Sequence, residues 1–412
     1  MKDKKALFIV LDGIGGRPTD SERKTCLQKA ETPNLDKLSE EGISGMLHPL
    51  GRGVVPGSDT SHLALFGYDP KEVYDGRGVF EASGIGMDVE EGDVCFRTNF
   101  ATMNENHVLQ DRRAGRIQEG QEKLTREIEE MKLDYDVEFQ FRASTEHRGA
   151  LVLKGENLSG NITDTDPHET NIKLTPARAE DKGGAAKRTA QIANQITERS
   201  YEILKDAYYN VQRKEDGKMP ANVLLLRGAA QKRELEDFKE KYGIEGAAVA
   251  GGALYLGVAR EIGLEAEKPE GATGGQNTDL ENKIEKTVEK LQQNDFVFLH
   301  IKGMDNAGHD GKAEEKTDFI EKVDEAIGKL KDKIDWDGTH LCLTGDHSTP
   351  PSAEGHTSDP VPIIYCGEAV RKDKVKKFDE ISCADGGLGH MEGQDVLKTL
   401  FGYNNWLDKY GS

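Results

Sequence analysis

The stretch KALFIVLD (residues 5–12) decides the architecture. Alternating apolar and polar residues would mark a strand with one wet face; this unbroken apolar run marks a strand buried on both faces. Such strands belong to parallel sheets covered by helices. Runs of the same kind recur as DFVFLHI (295–301), HLCLTGD (340–346) and VPIIYCG (361–367). Helical segments lie between them. One begins at Thr32-Pro33, with a capping residue followed by proline at the first helical position, and others are expected at 279–293 and 314–331. NVLLLR, near residue 221, opens this second zone and GAAVAGGALYLGVAREIG continues it. Strands alternating with helices imply an α/β fold with a mostly parallel sheet sandwiched by helices.

Residues 76–219 read differently. VEFQFR and GALVLK resemble paired strands, and 178–209 resembles one long polar helix. This middle is expected to be a smaller α+β domain inserted into a discontinuous one formed by 1–75 and 220–412.

At 412 residues the chain has room for both. Its mean hydropathy of −0.67 is that of a globular protein, and no apolar run approaches the ~18 residues of a membrane span. The N-terminal apolar run is short and ends in aspartate, so it reads as a strand and not as a signal peptide. The 5 cysteines are scattered and never paired as C-x-x-C, which argues against a disulfide scaffold or zinc knuckle and for a reducing cytoplasm. A net charge of −20 argues against nucleic-acid or anionic-membrane partners. It also means that an anionic substrate needs a local basic cluster or metal ions.

Three buried strands lead into aspartates: Asp12, Asp305 and Asp346. One such aspartate is ordinarily a turn or cap residue. Three of them at strand carboxyl ends, where open α/β sheets place their sites, carry more weight. His309 follows in DNAGHDG, His347 in GDHSTP and His356 in GHTSDPVP. Hard oxygens with neutral imidazoles suit zinc or manganese. Competing motifs are incomplete. DGIGGRP has Pro18 at the third glycine position of a dinucleotide fingerprint, GRGVVPGSD lacks the lysine of a phosphate loop, and GDHST is not a G-x-S-x-G elbow. PGSDTSH (56–62) places Ser58 at a helix start, where it is either an N-cap or a nucleophile favoured by a helix N-terminus.

LDGIGG, ETPNLDKL, VPGSDTSHLALFGYDP, DNAGHDG, GDHSTP and GHTSDPVP occur in that order across the chain. As a set they resemble the cofactor-independent phosphoglycerate mutases of the archaeal type, within the alkaline phosphatase superfamily. The resemblance implies an alkaline-phosphatase-like domain, an inserted substrate-binding domain, and a glycolytic isomerase that interconverts 3-phosphoglycerate and 2-phosphoglycerate through phosphoserine. It implies two divalent metal ions, Mn, Zn, Co or Mg. Asp305, His309 and His356 match one ligand set, and Asp12, Asp346, His347 and Ser58 the other. Ser58 is then the nucleophile as well as a helix-start residue.

A mutase must also hold glycerate. DRRAGR supplies Arg112, Arg113 and Arg116, EHRGALVL supplies His147 and Arg148, and CFRTNFAT supplies Arg97. Arginine forks suit bidentate capture of a carboxylate or phosphate, although exposed arginines ordinarily serve surface ion pairs. Lys302, three residues before Asp305, is a further candidate for a phosphoryl oxygen; TDTDPHETN (163–171) and His390 remain unassigned. A phosphomonoesterase of the same superfamily is the alternative, since it needs the same serine and metals. A sulfatase is disfavoured because Ser58 lacks a Ser/Cys-x-Pro-x-Arg context. A binding protein with a decayed site is disfavoured by the intact ligand set.

Overall fold

The structure is a computed structural model that describes residues 2–19 and 22–411. The chain divides into a larger unit, Met1–Tyr74 with Glu236–Ser412, and a smaller one, Asp75–Leu235. In chain order the strands are β1 (Lys5–Leu11) and β2 (Ile43–His48) in the larger unit. The smaller unit holds β3 (Val94–Met103), β4 (Val108–Asp111), β5 (Glu138–Ala143), β6 (Arg148–Lys154), β7 (Ile172–Lys173) and β8 (Val223–Gln231). The larger unit resumes with β9 (Gly246–Val249), β10 (Glu265–Glu267), β11 (Phe296–Ile301), β12 (Thr339–Thr344), β13 (Val361–Cys366) and β14 (Gly389–Glu392).

The larger sheet has the order β10-β9-β11-β1-β12-β13-β2-β14. β1 lies between β11 and β12, parallel to both. Both faces of β1 are covered, as its sequence requires. Leu7, Ile9 and Leu11 join a core with Leu35, Leu38, Ile284, Phe319, Ile320 and Val323 from helices Pro33–Glu41, Leu280–Gln293 and Ala313–Lys331. On the other face Phe8 meets Phe66 and Phe298, and Phe296 meets Phe238 and Phe401. Each such fully buried side chain contributes about 1.5–3 kcal/mol of transfer free energy.

β13 is antiparallel to both β12 and β2. The connection from β12 to β13 contains no helix, and a parallel return needs a crossover element. The sheet is therefore mostly, but not wholly, parallel. Among the described residues, no helix is long and apolar enough to cross a membrane.

In the smaller unit β3 is the spine. It pairs antiparallel with β6 along one edge and with β8 along the other, and β5-β6-β3-β4-β7 completes the order. Helix Gly184–Leu204 lays Ala186, Ala190, Ala193 and Ile196 into a core with Phe96, Phe100, Leu151 and Leu224. Two differences from the sequence reading stand out. NVLLLR, read as opening the second zone of the larger domain, forms β8 and pairs with β3, so the smaller unit runs on to Leu235. An apolar run says that a strand is buried but not in which sheet. The helix expected over 178–209 spans only Gly184–Leu204, and a separate helix follows at Tyr208–Glu215, because Ala207 turns to extended backbone (ψ 134°).

Candidate metal centre and basic cluster

Because β11, β1 and β12 are adjacent and parallel, their carboxyl ends emerge side by side. Asp12 directly follows β1, Asp346–His347 follow β12, and Asp305 sits in the short helix Gly303–His309 after β11. Gly13 turns the chain at φ +70°, where a Cβ would come within 2.8 Å of Asp305 Cα. Only glycine admits both the left-handed backbone and that approach.

The ligand atoms form two overlapping groups. One atom each of Asp12, Asp346 and His347 lie within 4.8 Å of one another, and so do those of Asp305, His347 and His356. The Nε2 of His347 is the hub: Ser58 Oγ lies 3.1 Å away, Asp346 Oδ2 3.1 Å and Asp12 Oδ1 3.5 Å. Those two carboxylate oxygens are buried and accept no hydrogen bond. Asp305 Oδ1 is approached by His309 Nε2 at 3.3 Å and His356 Nε2 at 3.4 Å. Expected ligands from both sets thus converge, with His347 touching both groups.

The tautomers follow from the outer contacts. The Nδ1 atoms of His309 and His356 face the carbonyls of Glu354 and Pro56, which can only accept, so each Nδ1 carries a proton. Thr349 gives its hydroxyl proton to Asp305 Oδ1, so it accepts from His347 Nδ1. In the neutral state all three imidazoles therefore aim Nε2 lone pairs at carboxylate oxygens. That arrangement repels itself unless positive charge lies between, and divalent cations would satisfy both donor types. The residues present fit a metal centre.

The other oxygen of Asp12 is fully occupied. Oδ2 accepts from Tyr255 Oη, from His300 Nε2 at 3.1 Å and from Lys302 Nζ at 3.3 Å, while Lys302 also bonds Asp305 Oδ2. Burial pushes the Asp12 carboxyl up, but Lys302 and the hydrogen bond from His300 act against it, and it lies well below the usual carboxylate range. Burial likewise raises Asp305, and Lys302 is the chief influence that brings it well down. Burial pulls His300 down to about 4, so it stays neutral at physiological pH. Tyr255 and His300 were not visible as site residues in the sequence, because each lies inside an apolar run.

Ser58 is the first residue of helix Ser58–Leu65, and Gly57 is the N-cap, so the N-cap role considered for Ser58 is not the one it has. Its side chain makes no capping bond, and the hydroxyl is left to face His347. His62, one turn on, bonds the Ser58 carbonyl through Nδ1 at 2.6 Å.

In the smaller unit Arg97 on β3 is register partner to Arg227 on β8, and Arg148 opens β6 opposite Asn99. Arg77 donates to Glu81 at 2.8 Å, whereas the buried Nε of Arg97 has no hydrogen-bond partner and lies 3.7 Å from Glu81. Burial, then the charges of Arg77, Arg148 and Arg227, push the Arg97 guanidinium down to about 9, with Glu81 only partly offsetting them. His147 is buried among the same charges. Burial, followed by Arg148, Arg113, Arg97 and Arg116, pushes it down to about 3. Positive charge is in excess here, which is the electrostatic condition for holding an anion.

Arg112 stands apart. Its fork closes on both oxygens of Asp166 at 2.8 and 2.7 Å, and Asp166 is also 3.2 Å from Arg227. His168 bonds Asp164 at 3.0 Å and faces Arg112. The acidic TDTDPHETN loop is thereby joined to the arginines. Arg77, Glu81 and Arg227 were missed in the sequence because they are single charged residues in GRGVFE and LLLRG. His390 is bonded to His48 at 3.0 Å, on neighbouring strands β14 and β2.

A family model described as the metalloenzyme superfamily matches residues 4–402. The chain is 43% identical to the 2,3-bisphosphoglycerate-independent phosphoglycerate mutase 1 of Methanocaldococcus jannaschii, over 100% of both chains. A solved protein structure from Pyrococcus horikoshii aligns with TM-score 0.87 at 36% identity, over 100% of both chains. The cofactor-independent phosphoglycerate mutase of Thermoplasma acidophilum aligns with TM-score 0.68 at 38% identity, over 97% of this chain and 99% of that one.

Proposed function

The chain belongs to the 2,3-bisphosphoglycerate-independent phosphoglycerate mutases of the metalloenzyme superfamily, and from that premise we propose how its own residues carry the reaction. The activity is the interconversion of 3-phosphoglycerate and 2-phosphoglycerate without a bisphosphoglycerate cofactor, on a divalent-metal protein. The observation that carries the assignment is the convergence of Ser58 Oγ and two unpaired carboxylate oxygens on His347 Nε2.

Asp12, Asp346, His347 and Ser58 would hold one cation in this reading, and Asp305, His309 and His356 the other. Mixed carboxylate and imidazole donors favour manganese, zinc or cobalt over magnesium. Held there, divalent cations would supply Lewis-acid polarisation of a phosphoryl group and would favour the ionised serine. Tyr255, His300 and Lys302 hold Asp12 Oδ2, which turns Oδ1 toward His347.

Ser58 Oγ attacks phosphorus. The Oγ–P bond forms as the bond between phosphorus and the C3 oxygen breaks, Ser58 gives up its proton, and glycerate takes one on that oxygen. Phosphoserine at the first position of a helix gains from the partial positive charge of the helix N-terminus. In the second half-reaction the C2 oxygen attacks phosphorus and loses its proton, the bond between phosphorus and Ser58 Oγ breaks, and Ser58 Oγ recovers a proton. No water is consumed, which distinguishes this sequence from the phosphatase reading.

The carboxylate of the substrate is assigned to the basic cluster. Arg97, Arg148 and Arg227 supply forks, Arg113 and Arg116 add charge, and buried His147 stays neutral among them. Arg112 acts by fixing Asp166 and its loop, since its own fork is closed.

The test is conversion of 3-phosphoglycerate by enzyme stripped with chelator and then restored with Mn²⁺, Zn²⁺, Co²⁺ or Mg²⁺ in turn. The expected product is 2-phosphoglycerate, lost on stripping and regained on restoration. Release of inorganic phosphate as the main product, or full activity after stripping, would overturn the reading.

A further inference from the structure

Lys316 is a charged residue in an apolar position. In helix Ala313–Lys331 it occupies the same stripe as Phe319, Ile320 and Val323, and its exposure is 0%. Packing alone asks for a methionine or leucine there, and a buried ammonium is costly unless it is fully hydrogen-bonded. An ammonium at this place therefore needs another reason.

Its contacts supply one. Nζ donates to three backbone carbonyls: Gly13 at 2.7 Å, Gly15 at 2.9 Å and Thr349 at 2.9 Å. Gly13 and Gly15 belong to the turn after β1, and Thr349 to the loop after β12. The two loops also touch each other, through the Thr349 N–H on the Gly15 carbonyl at 3.1 Å and through bridges at Ser348. Each residue that Lys316 grips passes the constraint on. The Gly13 N–H bonds Asp346 Oδ1 at 3.1 Å. Thr349 Oγ1 donates to Asp305 Oδ1 at 2.9 Å and accepts from His347 Nδ1 at 3.0 Å. Asp12 is bonded covalently to Gly13. Three carbonyls drawn toward one buried ammonium thus fix Asp12, Asp346, His347 and Asp305 together.

We propose that Lys316 is the positioning residue of the metal centre, setting the spacing of its ligands from beneath without touching substrate. This rests on the metal-centre reading above. A residue acting through ligand orientation should weaken metal binding by about 10–100-fold when removed.

The experiment compares wild type, Lys316→Met and Asp346→Asn. Mn²⁺ affinity is measured by calorimetry, folding by circular dichroism and thermal melting, and kcat and KM for 3-phosphoglycerate at saturating Mn²⁺. The absorption spectrum of the Co²⁺-loaded protein reports ligand geometry independently of activity. For Lys316→Met the expected result is a folded protein with Mn²⁺ bound about 10–100-fold more weakly. Its Co²⁺ spectrum should be altered, and kcat reduced with KM little changed. A folded Lys316→Met with wild-type Mn²⁺ affinity and Co²⁺ spectrum overturns the proposal. If Lys316→Met does not fold, Lys316→Arg, which keeps the charge but not the compact head, decides on the same measurements. Failure of both to fold assigns Lys316 to the fold and overturns its site role. A folded Asp346→Asn variant that binds Mn²⁺ as tightly as wild type overturns the metal-centre reading itself, so the two failures are distinguishable.

Discussion

The larger unit's site and the smaller unit's cluster are opposites in charge and in construction. In the larger unit, carboxylates and imidazole lone pairs crowd together at the carboxyl ends of three adjacent parallel strands, and their mutual repulsion calls for cations. In the smaller unit, guanidiniums crowd together on antiparallel strands, and burial first and the neighbouring arginines after it lower the Arg97 guanidinium; an anion would offset both. Each is a set of groups held together by the fold at a cost that binding of the opposite charge would relieve. The difference lies in how the charge is fixed. Strand ends leave the following segments free to aim ligands, so Asp305 and His309 come from the short helix after β11 and His356 from the loop after β12. Arginines inside strands are aimed by register, so Arg97 faces Arg227 because β3 pairs with β8.

If the larger unit performs bond making, its most severe lesion is Ser58→Ala. Loss of the nucleophile should reduce phosphoryl transfer by about 10⁴–10⁶-fold, the range seen when catalytic nucleophiles are removed. The melting temperature should stay close to that of wild type, since Ser58 Oγ makes one hydrogen bond and no cap. A rapid-quench experiment with labelled substrate should show label on wild-type protein and none on the variant. Retention of a tenth of the activity would remove Ser58 from the chemistry and with it the contrast drawn between the units.

A smaller and different effect is expected from the arginines. If these arginines hold the substrate anion as proposed, Arg97→Met or Arg148→Ala removes a charge-assisted contact worth roughly 1.5–3 kcal/mol, so 2-phosphoglycerate formation should fall by about 10–100-fold. Hydrolysis of a small phosphate ester should persist, because Ser58 and the metal ligands are untouched. The ratio of inorganic phosphate to 2-phosphoglycerate should rise as glycerate escapes before the second transfer. An unchanged ratio at unchanged rate would make these arginines structural charge and move the glycerate site elsewhere.

The same contrast explains what could be read from the sequence. KALFIVLD and its companions announced the mostly parallel sheet because burial on both faces leaves a continuous apolar signal. The aspartates after those strands were visible for the same reason: Asp12 directly follows its strand, Asp346 and Asp305 come within four residues of theirs, and His309, His347 and His356 follow in the same segments. What sharing a ligand requires, such as His347 lying in both groups, is a distance and has no local signature. Tyr255, His300 and Lys316 were hidden because a polar residue inside an apolar stripe looks like noise until its partner is known. Arg227 was hidden more deeply, since NVLLLR was read into the wrong sheet and its register partner Arg97 is distant in the chain. Even Ser58 shifted by one position, from N-cap to first helical residue, a difference set by the backbone angles at Gly57.

The gentlest test of the comparison uses pH. His147 is 4% exposed and its folded-state pKa is pushed down to about 3, first by burial and then by Arg148, Arg113, Arg97 and Arg116. An unfolded histidine has a pKa near 6.5, so between about 6.5 and 3 the unfolded chain binds a proton that the folded chain refuses. Stability from this group is therefore fully present above about pH 6.5 and drains away as pH falls, by up to ~1.4 kcal/mol per pH unit. His147→Gln keeps a polar side chain of similar reach but cannot take the proton. At pH 7.5 the variant should melt below wild type, having lost a fitted buried ring. As pH is lowered toward 5 the gap should narrow and then invert, because only wild type is penalised. Thermal melts of both proteins across that range measure the crossing directly. A gap that stays constant from pH 7.5 to 5 would mean His147 protonates freely within the folded cluster. The smaller unit would then not hold the excess positive charge that sets it against the larger one.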